Sequence, residues 1–462
     1  MDSYRRIAAL KLQSAQDRAH AIVEEIGRVE NKVYASPGSK QLLRFVKDAA
    51  IGLLGLLESE RSIADSDVLS ASELETRLDR ITKLIPYLHI LLGFVEGSEV
   101  HRSPGQLIRP LRRYVRSIIP GSEIVVKSKA ELNYSIQDIA EPLRKLSSII
   151  PLQSNSGLPE RLFVVNIPAV ESGQILIHGV LAHELGHALY KKHGLAAKLL
   201  PDIKVNEDLI RVMSEASLLQ GPPPGLRKRE WITEQVTSRI TGWVMELSSD
   251  AIGIRLFGPA LFFAEVHLMT AFKHIDQGSV SHPPNRLRVR LMMRMLKQLY
   301  ELGKLHENLQ TFLRDWDEVS AIPIAARTKF DELAIDSINQ SALDLIIDAS
   351  ATAVPLPQSY ASSQFDKDTR ELSPLFINFV PPGETGIYGR ALPVKLASII
   401  NAGWHVYLCD FDIFRQRLHA GDSETRFAAA TKLHELVLKA LEISEMKTAW
   451  EEAKSDPKRG ES

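Results

Sequence analysis

Two histidines and a glutamate stand close together in the segment His183-Glu184-Leu185-Gly186-His187. Because the histidines are four residues apart, a helix would project both imidazoles from one face. This spacing suits two neutral imidazole nitrogens that meet one Zn²⁺ ion at about 2.0 to 2.1 Å. The Glu184 carboxylate would lie beside the ion, where it can take a proton from a water molecule that attacks a carbonyl. The segment therefore predicts zinc-assisted hydrolysis, with Gly186 leaving space for a neighbouring element.

The five-residue pattern also occurs by chance, so the prediction of a zinc site depends on a third metal ligand elsewhere in the chain. Glu246 comes 59 residues after His187, and it would share a helix face with Asp250. Glu246 can complete a site of two histidines and one glutamate, with the fourth position open for water. Asp250 can accept a hydrogen bond from the outer nitrogen of one histidine and so fix its tautomer. The alternative for this segment is a solvated acidic face of a helix.

His193 is a competing third ligand. It stands where the metzincin pattern His-Glu-x-x-His-x-x-Gly-x-x-His has its last histidine, but Tyr190 occupies the position that needs glycine for a sharp turn. Tyr190 favours continuation of the helix, and His193 followed by Gly194 is typical of a helix end. We therefore predict a helix-capping role for His193.

The two motifs together resemble those of gluzincin metallopeptidases. The long gap between them, followed by Ser281-His282-Pro283-Pro284-Asn285-Arg286-Leu287-Arg288, is similar to the HtpX and CAAX-prenyl-protease type. The resemblance covers roughly residues 160 to 300. It implies a zincin-like metallopeptidase core with Zn²⁺ held by His183, His187 and Glu246.

The same resemblance gives expectations for the His-Pro segment. His282 would lie near the metal, where it either stabilises the oxyanion or acts as a reversible fourth ligand that keeps the enzyme inactive. Arg288 would anchor this segment or face the substrate. The alternative for His282 is a cap of the loop before Pro283. The chain departs from these families in lacking membrane helices and in carrying large flanks.

The remaining sequence predicts an α+β fold that is mostly helical. Apolar stripes of helical period indicate a helical N-terminal region at 1–120. Short branched runs at Glu123–Lys127 and Arg161–Ile167 predict a small sheet beside the zinc-binding helix. We expect a zincin-like metallopeptidase domain at 121–315 and a mixed α/β C-terminal region, a candidate regulatory region, at 316–462.

Composition narrows the functional classes. The 462 residues exceed one compact core, and a formal net charge of -1 gives no reason to expect nucleic acid. Cys409 is the only cysteine, so an internal disulfide is impossible and a cytoplasmic protein is expected. The N-terminus has no secretory signal, and no apolar run reaches the roughly 18 to 20 residues of a membrane span. The oligomeric state is not visible from the sequence.

The favoured function is a zinc metalloendopeptidase that hydrolyses a cytosolic protein or peptide substrate. One alternative is a regulatory or interaction protein with a structural or vestigial zinc site. Another is a repressor-cleaving peptidase of the ImmA/IrrE type, which shares the sequence His-Glu-Leu-Gly-His. Glu184 discriminates between a peptidase and a structural zinc site, because a structural site has no use for a carboxylate beside an open coordination position.

Restraint of such a peptidase is a further expectation. Either the Pro-rich insert at 221–225 or the segment Pro374–Leu408 would cover the cleft until a partner or substrate arrives. His405, Tyr388 and Tyr407 are candidates to touch the site, although ordinary packing is the simpler interpretation of each.

Overall fold

The computed structural model divides the chain into two compact units, Met1–Ser172 and Gly173–Ser462. The predicted α+β fold that is mostly helical, with a small sheet, is confirmed. None of the helices in the described part combines the length and apolar character that crossing a lipid bilayer requires. The structure describes residues 2–65, 70–102, 104–131, 133–152, 157–203, 207–216, 222, 224–225, 227–270, 276, 278–279, 281–325, 328–338, 340–355, 358–387, 390–418 and 426–455.

The first unit combines helices with a small sheet. Its buried apolar side chains, among them Ile22, Phe45 and Leu88, form one core that also receives Val125 and Val164 from the sheet. Two short 3₁₀ helices lie at Val100–Arg102 and Ala169–Glu171. The α-helices are α1 (Asp2–Val29), α2 (Pro37–Asp65), α3 (Ala71–Thr82), α4 (Leu84–Glu96), α5 (Gly105–Ile118) and α6 (Ala140–Ser147).

The sheet of the first unit has the strand order β1-β3-β2, where β1 is Ser122–Lys129, β2 is Ser135–Asp138 and β3 is Arg161–Pro168. β1 and β3 pair in parallel, while β2 pairs with β3 in the antiparallel sense. The buried runs of β1 and β3 are continuous rather than alternating, as expected for parallel strands covered on both faces. Both strands were predicted, whereas the short polar β2 was not.

The second unit is almost entirely helical. Short 3₁₀ helices lie at Ile177–Val180, Leu200–Asp202 and Leu302–Lys304. A two-stranded antiparallel sheet pairs β4 (Glu384–Ile387) with β5 (Arg390–Pro393). The α-helices are α7 (Leu181–Lys192), α8 (Leu195–Leu199), α9 (Glu207–Ala216), α10 (Lys228–Phe257), α11 (Pro259–Thr270), α12 (Asn285–Leu299), α13 (Glu307–Ala321), α14 (Lys329–Ser337), α15 (Gln340–Ala353), α16 (Ser362–Glu371), α17 (Ser373–Ile377), α18 (Leu396–Cys409), α19 (Phe411–Arg417) and α20 (Arg426–Ser455).

A sharp corner joins α10 to α11. Gly258 has φ +63°, a conformation that a residue with a side chain rarely adopts, and Pro259 then begins α11 at the position where a missing N–H costs least. The buried amide of Asn401 bridges the corner: it donates to the carbonyl of Phe257 at 2.7 Å and accepts from the amide of Ala260 at 2.9 Å. Helix α18 is therefore built into the packing of the corner.

Helix α18 also reaches the chain that leads into α7. The indole N–H of Trp404 donates to the carbonyl of Leu176 at 3.0 Å. Residues that the sequence assigned to a separate C-terminal region thus support the entry to the histidine-bearing helix. Within the second unit, α18 therefore supports the entry to α7, and covering of the cleft by the segment Pro374–Leu408 stays a prediction. The predicted domain boundaries at residues 120 and 315 stay predictions.

Candidate metal centre

Two neighbouring helices carry the candidate ligands. His183, Glu184 and His187 lie on α7, and Glu246 and Asp250 lie on α10. The structure thus brings together two segments that are far apart in the sequence.

Gly186 sets the distance between these helices. A Cβ atom added to it would lie 2.5 Å from the carbonyl oxygen of Ser249 on α10, which is closer than real side chains approach. Only glycine therefore permits the observed contact, as the sequence predicted.

Three side chains converge on one point. The Nε2 atom of His183 lies 3.2 Å from Oε2 of Glu246, and Nε2 of His187 lies 3.4 Å from Oε1 of the same carboxylate. One ligand atom from each of the three residues falls within 4.8 Å of the others. Tetrahedral ligands at about 2.0 to 2.1 Å from a zinc ion stand about 3.3 Å apart, so the spacing fits this metal.

The other ring nitrogens have partners that fix the two imidazoles. His183 Nδ1 lies 2.7 Å from Oδ1 of Asp250, which accepts its proton. The hydroxyl of Ser249 donates to the carbonyl of Met245 at 2.8 Å, so it accepts from His187 Nδ1 at 3.0 Å. With both protons on Nδ1, each neutral ring directs the lone pair of Nε2 towards Glu246.

Glu246 provides a direct test of whether a cation fits. Its Oε2 atom is buried and receives no hydrogen bond from the residues that the structure describes, although His183 Nε2 is only 3.2 Å away. In the tautomer that Asp250 fixes, this nitrogen bears a lone pair and cannot donate. When His183 is neutral, electron pairs from three side chains thus face one another, an arrangement that a metal cation stabilises.

The protonation of the site reflects its negative charge. Burial lowers the pKa of His183, but the Asp250 carboxylate beside it outweighs burial and raises that pKa well above the ordinary value. Burial, together with the neighbouring His183, lowers the pKa of His187 to about 3. Burial raises the pKa of Glu246, but the positive charge of protonated His183 beside it prevails and lowers that pKa to about 2. At neutral pH His187 is therefore neutral and Glu246 ionised, as metal ligands must be, and a cation that binds would displace the proton from His183 Nε2.

Arg288 on α12 lies behind the ligands and does not face the open side of the site. Its guanidinium donates to both oxygens of Asp250, at 2.8 and 2.7 Å, and lies 3.1 Å from Oε1 of Glu265. All three side chains are at least nine-tenths buried. The resemblance implied that Arg288 either anchors the His-Pro segment or faces the substrate. The buried position of its guanidinium agrees with anchoring.

His282 lies at the open side of the site. Its Nε2 atom is 3.6 Å from Oε1 of Glu246, and the side chain is 58% exposed. Its Nδ1 lies 2.8 Å from the hydroxyl of Ser281, and its backbone amide donates to the hydroxyl of Ser279 at 3.0 Å. His282 is outside the set of three converging ligands, and it takes part in the loop hydrogen bonding that the alternative interpretation predicted.

The remaining candidates have other surroundings. His193 ends α7 with φ -91° and ψ 2°, outside the converging set, in agreement with a capping role. His405 lies 3.4 Å from Asp410, while Tyr407 packs against Trp404. Tyr388, Gly221 and Pro223 lie outside the described residues, and covering of the cleft by the Pro-rich insert stays a prediction.

Two contributors were missed by the sequence analysis. Ser249 was given no role, although it lies between Glu246 and Asp250 in the sequence. Glu265 interrupts the apolar run at 259–266 in α11, and a buried carboxylate in such a run needs a positive partner. That interruption was the available signal, but it does not identify Arg288 as the partner.

No family model, curated protein or solved structure matches this chain. The carboxylates of Glu246, Asp250 and Glu265 lie around one guanidinium, that of Arg288, in a buried region. A divalent cation at the converging atoms would offset the excess negative charge.

Replacing Gly186 by alanine is expected to push α7 away from α10 and to weaken zinc binding. The added methyl group would press against the backbone of Ser249, so a loss of about 1–3 kcal/mol of stability through overpacking is expected. Chelator competition and thermal unfolding measure the two effects. Gly55→Ala is the control, because the structure shows nothing within 4 Å of that added atom. Equal zinc affinity in both variants would contradict the role of this contact.

Proposed function

We propose that the chain is a zinc-dependent metallopeptidase with a zincin-like core. The supporting observation is the convergence of His183, His187 and Glu246, with Glu184 on the same helix as the two histidines. A zinc ion held there would supply a Lewis acid that polarises a carbonyl and acidifies water. This combination matches hydrolysis of a peptide bond.

The side chains around the ligands have distinct tasks in this proposal. The carboxylate of Glu184, partly exposed in the first turn of α7, accepts the proton of the attacking water and returns it to the leaving amine. Asp250 and Ser249 hold the two rings so that their Nε2 atoms face the ion. Arg288 keeps Asp250 in place.

His282 is proposed to contact the substrate carbonyl and stabilise the oxyanion. Its exposure and its position beside Glu246 support this role. Reversible ligation of the metal is the other role that the resemblance implies. It requires movement of the loop, because His282 is not within the converging set in the described structure.

The proposed substrate is a protein or peptide in the cytoplasm. The composition supports a reducing compartment through the single Cys409, whose thiol has its pKa raised to about 12 by burial. Such a thiol is a poor nucleophile and a poor metal ligand at neutral pH. The chemistry of the site therefore rests on histidine and carboxylate groups.

A regulatory or interaction protein with a structural zinc site is the competing class. Structural zinc is almost always enclosed by four protein ligands, whereas only three converge among the residues that the structure describes. The open position therefore favours catalysis. A repressor-cleaving peptidase of the ImmA/IrrE type would use the same chemistry and differ in its substrate.

Removing one ligand tests whether the site holds zinc. The purified chain is expected to contain about one zinc ion, and His183→Ala is expected to lose it because two ligands rarely retain zinc. Elemental analysis after dialysis against a weak chelator provides the measurement. His193→Ala, at the end of the same helix, is the matched control and should retain zinc. Undiminished zinc in His183→Ala would exclude the proposed ligand set.

A further inference from the structure

Arg288 is enclosed by buried groups from three other helices. Its Nη2 atom lies 2.7 Å from Oδ1 of Asp250 on α10 and 3.1 Å from Oε1 of Glu265 on α11. The same Oδ1 atom lies 2.7 Å from Nδ1 of His183 on α7. One nitrogen of Arg288 therefore touches both Glu265 and the oxygen that orients a candidate metal ligand.

A second group of atoms near Arg288 also has the spacing of a cation site. Ligand atoms of His183, Asp250 and Glu265 lie within 4.8 Å of one another and all three residues are buried. The guanidinium of Arg288 already lies among them and donates to Asp250. The positive charge of this second group is therefore supplied by the protein, and no further metal is needed there.

We propose that Glu265 is a positioning residue for the metal centre, which holds Arg288 so that Asp250 keeps the His183 ring directed at the ion. This inference rests on the proposed zinc function. The line Glu265–Arg288–Asp250–His183 takes one residue from each of α11, α12, α10 and α7. The orientation of one ligand thus depends on four helices at once.

The charges explain why two carboxylates share one guanidinium. Asp250 strengthens His183 as a ligand by accepting the proton of Nδ1, and this effect depends on the negative charge of Asp250. Arg288 alone would draw much of that charge to itself through its two hydrogen bonds. Glu265 attracts Nη2 from the other side, so Arg288 holds Asp250 in place while Asp250 remains a strong acceptor.

The test replaces Glu265 by glutamine, which keeps the size and an acceptor oxygen but removes the charge. Zinc affinity, measured by competition with a chromogenic chelator, is expected to fall about tenfold, as for residues that support metal ligands. The absorption bands of the Co²⁺-substituted protein should shift as well, because the His183 ring is less firmly oriented. If Glu265 had a purely structural role, neither the zinc affinity nor the Co²⁺ absorption bands of the folded protein would change.

Asp331→Asn is the matched control. Asp331 is also buried, and it pairs at 2.6 Å with Arg239, which lies on the same helix as Glu246. This variant should lower the unfolding temperature and leave zinc affinity unchanged. Glu265→Asp retains the charge and should bind zinc more tightly than Glu265→Gln.

The outcomes separate this inference from the proposed function. A wild-type chain that binds no zinc would overturn the proposed function itself. A wild-type chain that binds zinc, with Glu265→Gln binding it equally well, would overturn only the role of Glu265. Affinity in Glu265→Asp no better than in Glu265→Gln would likewise exclude a role for the charge.

Discussion

Changing Glu184 to glutamine is expected to lower peptide hydrolysis by about 10²- to 10⁴-fold while zinc stays bound. Glutamine has nearly the same shape but cannot accept a proton from water. The proposed zinc ligands His183, His187 and Glu246 are untouched by the change. The expected result is therefore a chain with normal metal content and almost no activity.

The measurement combines zinc analysis with a search for cut proteins. Cells that express the wild type should show new protein termini that are missing in cells expressing Glu184→Gln. Glu215→Gln, an exposed glutamate of α9 in the same unit, is the control and should behave as the wild type. Undiminished hydrolysis by Glu184→Gln would show that another group activates water.

Changing Arg288 to methionine is expected to destabilise the second unit by about 3–5 kcal/mol. The change leaves Asp250 and Glu265 buried without the guanidinium that lies between them. An uncompensated buried charge costs far more than the loss of an exposed ion pair. Zinc binding should weaken too, since Asp250 loses the group that holds it beside His183.

The free energy of unfolding is measured in denaturant, with a signal that reports on the second unit. Arg294→Met is the matched control: it lies on the same helix, but its partner Asp344 is exposed, so about 0–1 kcal/mol is expected. Adding Glu265→Gln to Arg288→Met should recover part of the lost stability, because one unpaired charge is removed. Similar losses in Arg288→Met and Arg294→Met would argue against a buried charge network.

The placement of the candidate ligands could be anticipated from local patterns. His183 with His187, and Glu246 with Asp250, are each four residues apart, and helical geometry places each pair on one face. Gly186 marked the point of close approach. Local patterns therefore predicted two separate pairs of residues. The need of zinc for a third protein ligand was the reason to expect that the two pairs meet.

Contacts between distant helices could not be predicted from local sequence patterns. The contact of Glu265 with Arg288 joins two helices, and nothing in either segment specifies the other. The position of His282 beside Glu246 was expected from the resemblance alone. Asn401 is a polar residue in an apolar helix, and its partners at the corner of α10 and α11 have no signature in the neighbouring sequence.

The contacts of α18 have a consequence for the synthesis of the chain. Asn401 and Trp404 are translated about 200 residues after His187, which takes about 10–40 s at about 5–20 residues per second. During this interval the corner after α10 lacks the amide that bridges it in the finished protein. The nascent chain thus carries the segment His183–His187 for about 200 residues of translation before the helix that supports it has been made.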